Sequence, residues 1–227
     1  MDFSELYYSR KQKDTWSSPQ RIHINRGLHV TPVIAADNDH RLWFVWIEQT
    51  KTENILRFLF IDGEKRETGR VMSGEKEQSY APSILIDKEN TPWIAWSGIR
   101  ETLADIYAAH WNKGKWSPAQ TVNKANSVPD ITPLLGMTEE GKIWVTWNGA
   151  REDSTYAHYT AYYTAGKWLV SEKTFPTQEF RDFARQRLPE GLSFPEQAGR
   201  RLMGALFTQS TKQVQSITDF FLYQLKH

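Results

Sequence analysis

The stretch Leu42-Trp43-Phe44-Val45-Trp46 decides the fold, because the chain repeats it twice. Trp93-Ile94-Ala95-Trp96 and Trp144-Val145-Thr146-Trp147 carry the same two indoles three residues apart. A proline stands eleven residues before the first Trp of each pair, at Pro32, Pro82 and Pro133. The three segments align without a gap at a spacing of 50 residues and then 51. A rare residue recurring at a fixed offset marks an internal repeat.

Working outward, each unit reads as two strands around a turn. The first strands are Val33-Ile34-Ala35-Ala36, Ser83-Ile84-Leu85-Ile86 and Leu134-Leu135-Gly136-Met137. Turn-forming residues follow at 37–40, 87–90 and 138–141. The Trp-bearing second strands are apolar at nearly every position, as expected of strands covered on both faces. A second hairpin separates the units, clearest in Asp105-Ile106-Tyr107-Ala108-Ala109-His110-Trp111, the turn Asn112-Lys113-Gly114, and Lys115-Trp116-Ser117-Pro118. Versions occur from Leu6 to Pro19, from Ile55 to Glu64 and from Tyr159 to Trp168. Two hairpins per period make four strands, which is one blade of a β-propeller. The fold class expected is therefore mostly β, with about three and a half blades over residues 1–174.

The pattern of Pro, apolar strand, Asp-rich turn, Trp-x-x-Trp, Tyr and Gly-x-Trp-Ser-x-Pro resembles sialidase-like and lectin-like bacterial β-propeller repeats over about residues 6 to 174. The resemblance implies a propeller, and such propellers host many functions.

Composition agrees with a β chain: ten Trp, nine Tyr and eleven Phe among 227 residues. With 28 basic and 27 acidic residues the net charge is +1, which gives no electrostatic basis for a nucleic-acid partner. The absence of cysteine removes thiol catalysis, thiolate metal sites and disulfides. No apolar run approaches the roughly 20 residues of a membrane span. Met1-Asp-Phe-Ser-Glu-Leu has neither basic start nor apolar stretch, so the default compartment is the cytoplasm, with export expected only if a leader once preceded Met1.

After Trp168 the Trp residues stop. Residues 175–227 read as a helical segment: Phe180, Phe183, Ala184 and Leu188 share a helical face, and Ser193-Phe194-Pro195-Glu196 reads as a helix start. A propeller closes with about four blades or more, so this chain is expected to self-associate, as a homodimer or larger, to complete the ring. The tail would cap an open face or join subunits.

The second Trp of each pair ends its apolar run near a loop. Trp46, Trp96 and Trp147 are therefore the expected stacking platforms for a sugar ring, while Trp43, Trp93 and Trp144 are expected to fill blade interfaces. Trp96-Ser97-Gly98-Ile99-Arg100-Glu101 and Trp147-Asn148-Gly149-Ala150-Arg151-Glu152 share Trp-x-Gly-x-Arg-Glu. Arg100, Glu101, Arg151 and Glu152 add guanidinium forks and carboxylates suited to hydroxyl groups. They also read as a solvated loop pair.

The leading expectation is a non-catalytic module that recognises a glycan or a protein surface through propeller loops, with no cofactor and no metal. The alternatives are a structural assembly protein and a sialidase-like glycoside hydrolase. The hydrolase would require Arg57, Arg100 and Arg151 to converge and a nucleophile such as Tyr107. The Asp-box signature of sialidases is missing from the sequence, so no catalytic residue is assigned. The histidines show no metal spacing.

Overall fold

The computed structural model describes residues 4–22, 27–71, 78–99, 103–124, 126–150 and 156–171. The helical reading of 175–227 lies outside the described residues.

The N-terminal strands are short: β1 (Tyr7–Tyr8), β2 (Lys11–Gln12), β3 (Thr15–Trp16) and β4 (Gln20–Arg21). Three antiparallel blades follow. The first contains β5 (Leu28–Ala36), β6 (Leu42–Gln49), β7 (Asn54–Asp62) and β8 (Lys65–Arg70). The second contains β9 (Gln78–Ile86), β10 (Pro92–Ile99) and β11 (Ala104–Asn112), with β12 (Lys115–Trp116) and β13 (Gln120–Thr121) both pairing with β11. The third contains β14 (Asp130–Met137), β15 (Ile143–Ala150), β16 (Tyr156–Thr164) and β17 (Lys167–Ser171). A single parallel bridge, Asn54 to Gln78, links the ladders of the first two blades.

The N-terminal strands form the outer half of a blade, offset by 100 residues from the second one. Tyr7 and Tyr8 pair with Arg21 and Gln20, as Tyr107 and Ala108 pair with Thr121 and Gln120. Lys11 pairs with Trp16 as Trp111 pairs with Trp116. The Arg10 amide donates to Ser17 Oγ at 2.9 Å, and the His110 amide donates to Ser117 Oγ at 3.1 Å. Recurring Ser-Pro and Ser-Ser-Pro segments after Trp therefore report a side-chain clamp on the outer hairpin.

The recurring prolines also have a structural cause. Each first strand carries a register shift around its proline, between Val30 and Val33, opposite Ala95 and Ser97, and between Ile131 and Leu134. The residue before each proline, Thr31, Ala81 and Thr132, sits in the left-handed region at φ of 49°, 46° and 54°. A bulge takes that stretch out of the ladder, so proline's missing N–H costs no hydrogen bond there.

Alternation along the second strands sends one indole to each side of a blade. Trp43, Val45 and Ile47 of the first blade meet Ile84, Ile94, Trp96 and Tyr107 of the second. On its other face the second blade presents Trp93 and Ala95 to Leu135, Val145 and Trp147 of the third. Phe44 and Trp46 face the half-blade, against Ile22, Leu6 and Tyr8. Trp43 lies with its ring centroid 5.1 Å from that of Trp111, and Trp93 lies 4.7 Å from Tyr163.

Trp144 lies back over its own blade. A Cβ on Gly136 would stand 2.0 Å from Trp144 Cζ2, so only glycine admits the indole there. The first-hairpin turns of neighbouring blades are joined by polar contacts. The Asn38 amide donates to Asn90 Oδ1 at 2.7 Å, Asn90 Nδ2 donates to Asp39 Oδ2 at 3.0 Å, and Lys88 Nζ donates to the Glu139 carbonyl.

Candidate functional site

The registers give each blade two ends. Both hairpin turns of a blade share one end, and the connections that follow the second strands leave from the other.

At the connection end, three equivalent positions open the first strands: His29, Ser79 and Asp130, all buried. His29 Nδ1 accepts the Trp46 indole N–H at 3.1 Å, and Asp130 Oδ1 accepts that of Trp147 at 2.8 Å. These indoles are therefore anchored inward. Trp46, Trp96 and Trp147 have relative exposures of 0%, 0% and 1%, so the expectation that they offer a flat face to a sugar is corrected. The physical reason is that the strands run on past them, to Gln49, Ile99 and Ala150, and an inner strand of a stacked sheet is covered on both faces.

The residue opposite each indole differs between blades. Trp96 stacks on Tyr107 at 5.9 Å and 29°, and Trp147 on Tyr159 at 5.7 Å and 22°. Gly149 makes room for this arrangement, since a Cβ there would lie 2.5 Å from Asp130 Oδ1 and 2.6 Å from the Tyr159 ring. In the first blade Trp46 faces Arg57, and Glu48 occupies the glycine position. Arg57 Nε donates to Glu48 Oε2 at 2.6 Å, so this guanidinium already holds a carboxylate. Tyr107 is buried under its stacking partner, a poor position for the nucleophile the hydrolase reading would need.

Between the second and third blades lies a closed polar network. Asn123 Nδ2 donates to Asp130 Oδ2 at 2.6 Å and to Asp105 Oδ1 at 2.8 Å. Asn126 Nδ2 donates to Asp130 Oδ2 at 2.8 Å, and Asn123 Oδ1 accepts the Ile106 amide at 2.9 Å. Burial pushes the Asp130 carboxyl above the ordinary range, and its hydrogen bonds from Asn126, Trp147 and Asn123 only partly offset that. With these donors converging on it, Asp130 buckles two blades together.

Arg100, Glu101, Arg151 and Glu152 lie outside the described residues; Arg100 and Arg151 directly follow Ile99 of β10 and Ala150 of β15 in the chain. Among the described residues no three His, Asp or Glu side chains are grouped to hold a metal.

At the turn end, Asp37 and Asp87 are more than turn formers. Asp37 Oδ2 accepts the Trp43 indole N–H at 2.8 Å, and Asp87 Oδ2 accepts that of Trp93 at 2.7 Å. The signal was legible as an Asp six residues before Trp in two repeats, with Thr138 breaking it in the third.

One cleft of ≈260 Å³ opens at the same end between the half-blade and the first blade. Tyr8, Arg10, Ser17, Gln20, Gly63 and Arg66 line it. The Arg10 guanidinium carbon stands 5.9 Å from the Tyr8 ring centroid, and Tyr8 Oη donates to Gln20 Oε1 at 2.6 Å. Arg66 Nη1 donates to the Arg21 carbonyl at 3.3 Å. Trp16, on the adjoining hairpin, is 67% exposed. Nothing in the sequence marks this cleft, because its residues come from two separated hairpins and its two arginines recur in no other repeat.

No protein-family model matches the sequence, and no curated protein matches it either. Solved structures share the fold. A protein of unknown function from Dyadobacter fermentans is 13% identical at a TM-score of 0.50, covering 63% of this chain and 54% of its own. The GH93 α-L-arabinofuranosidase of Fusarium graminearum, solved with arabinobiose, is 11% identical at a TM-score of 0.50, covering 74% and 57%. A fucose lectin from Kordia zhangzhouensis is 14% identical at a TM-score of 0.41, covering 63% and 99%. This chain thus spans a little over half the length of the first two. What the likeness establishes is the architecture: a run of propeller-type blades.

Proposed function

We propose that this chain is a non-catalytic glycan-recognition module. The cleft between the half-blade and the first blade carries this reading. It combines an aromatic ring, two guanidinium groups, an amide and a hydroxyl in a space of ≈260 Å³. Saccharide recognition needs such a mixture, because a sugar ring has an apolar face and a rim of hydroxyl donors and acceptors. The volume lies just below the roughly 300–1,000 Å³ of pockets for drug-sized ligands, which suits one ring.

The test is a glycan array probed with the full chain and with Gln20→Trp, whose indole would fill the cleft. Binding abolished in that variant supports the reading. Binding that survives Gln20→Trp but is lost with Arg100→Ala and Arg151→Ala refutes the cleft and assigns recognition to the connection-end loops. Turnover of fluorogenic glycosides refutes the non-catalytic part.

A second reading, self-association in an assembly, is favoured by one observation. Ile34, Ile84 and Leu135 are equivalent, yet their exposures are 55%, 7% and 1%. A preceding blade covers the latter two, and the half-blade lacks the inner strands that would cover Ile34. The surface that fits is another blade of this repeat, which a second copy offers. Light scattering at the mass of a single chain would refute it.

A further inference from the structure

We infer that the cleft takes a saccharide bearing a carboxylate, such as a uronic acid; this rests on the glycan-binding reading above. The half-blade meets the first blade as the second meets the third. Gln20 corresponds to Gln120, and the Gly63-Glu64 turn corresponds to the Ala165-Gly166 turn two periods on. At the second junction Gln120 Nε2 donates to the Gly166 carbonyl at 3.3 Å, which ties the two hairpins together. At the first, Gln20 is bound to Tyr8, and the cleft stands open beside Gly63.

The same correspondence places His110 where the cleft has Arg10, and Trp168 where it has Arg66. His110 lies against the Trp93 ring at 4.6 Å. The first junction therefore carries two permanent positive charges where the second carries an imidazole and an indole. Among the described residues neither Arg10 nor Arg66 has a carboxylate partner. Two neighbouring carboxylates are already engaged: Glu5 with Arg21 and the Tyr7 hydroxyl, and Glu67 with Lys65.

Two guanidinium groups lining one small cleft repel each other unless an anion lies between them. Arginine's planar fork matches the two oxygens of a carboxylate in a bidentate pair. The rest of the lining is not what a bare anion requires. The Tyr8 ring can meet the apolar face of a sugar, and the Gln20 amide and Ser17 hydroxyl can meet its hydroxyls. Charge and hydroxyl recognition in one cleft specify an acidic sugar.

The experiment is titration calorimetry of the full chain with galacturonate and glucuronate, against galactose, glucose, acetate and sulfate. The variants are Arg10→His, the residue that the second junction carries, and Arg66→Leu, which removes the guanidinium and keeps an apolar stem. The expected result is binding of an acidic sugar at least about tenfold tighter than its neutral parent, lost in both variants and weakened by salt. Equal binding of neutral and acidic sugars, unchanged in the variants, overturns this inference and leaves the glycan reading standing. Acetate or sulfate binding as tightly as the acidic sugar reduces the cleft to an anion site and overturns it as well. Binding of no sugar here or on the glycan array overturns both readings. Circular dichroism matching the parent chain establishes that both variants fold.

Discussion

Replacing Asp37 by alanine removes a buried carboxylate that organises a turn and anchors an indole. Its Oδ2 accepts from Trp43 Nε1 at 2.8 Å and from Arg41 Nε at 2.6 Å, and its Oδ1 accepts from the Arg41 amide at 2.9 Å and the Asp39 amide at 3.0 Å. These bonds do not count equally. The Trp43 N–H is buried and would be orphaned, which costs about 1–3 kcal/mol. The two amides and the partly exposed Arg41 head can turn to water, and together they contribute about 1 kcal/mol. The total is about 2–4 kcal/mol, a large share of the roughly 5–15 kcal/mol that stabilises a domain. Asp87→Ala should cost less, because Asp87 has no arginine partner among its bonds to Thr91 N and Trp93 Nε1. Urea titration followed by Trp fluorescence measures both. A loss below about 0.5 kcal/mol in Asp37→Ala would refute the claim that the carboxylate anchors the indole.

Gly136→Ala should cost at least about 3 kcal/mol, since its Cβ would meet Trp144 Cζ2 at 2.0 Å; thermal unfolding reads the shift. Ile84→Ala should cost about 2–5 kcal/mol, whereas Ile34→Ala should cost about 1 kcal/mol in the isolated chain, measured by the same denaturation. The two aspartates should give opposite pH dependences. Burial pushes the Asp37 carboxyl up, but hydrogen bonds from Trp43 and Arg41 outweigh it and hold it below the ordinary range, so its stabilisation is present above about pH 4 and is lost as pH falls further. Asp130 is raised, so it weakens the fold at neutral pH and is relieved as pH drops through its folded value toward about 4. As pH falls from neutral, stability measured against Asp130→Asn should rise down to about pH 4, and stability measured against Asp37→Asn should fall below about pH 4; parallel curves would contradict the assignment.

The blades were legible because their signal is made of packing. Indoles three apart must face opposite ways along a strand, and a strand that buries both belongs between two neighbours. The half-blade was legible as a hairpin, through its Trp-Ser-Ser-Pro. The stacking platforms were misread because Ser97-Gly98 and Asn148-Gly149 look like loop residues. They continue the strand because glycine yields space to the neighbouring Tyr159 ring and Asp130, and Ser97 accepts the Thr132 amide across the blade junction at 3.0 Å. Proline at a fixed offset announced a repeat but not the left-handed residue before it, which no composition rule anticipates. The cleft was beyond reach because Arg10 and Arg66 are brought together only by the blade stacking.

The aromatic side chains packed between the blades act as a wedge. Trp111, Trp116, Phe58 and Phe60 crowd the outer strands around Trp43, whereas the first strands meet through Val33, Ala35 and Ile84. A spacer thick at the rim and thin at the hub sets the angular step from one blade to the next, and the step decides how many units span a full circle. Indole volume thus sets the angle between these two blades, and trimming Trp111 to a smaller side chain would shrink that step.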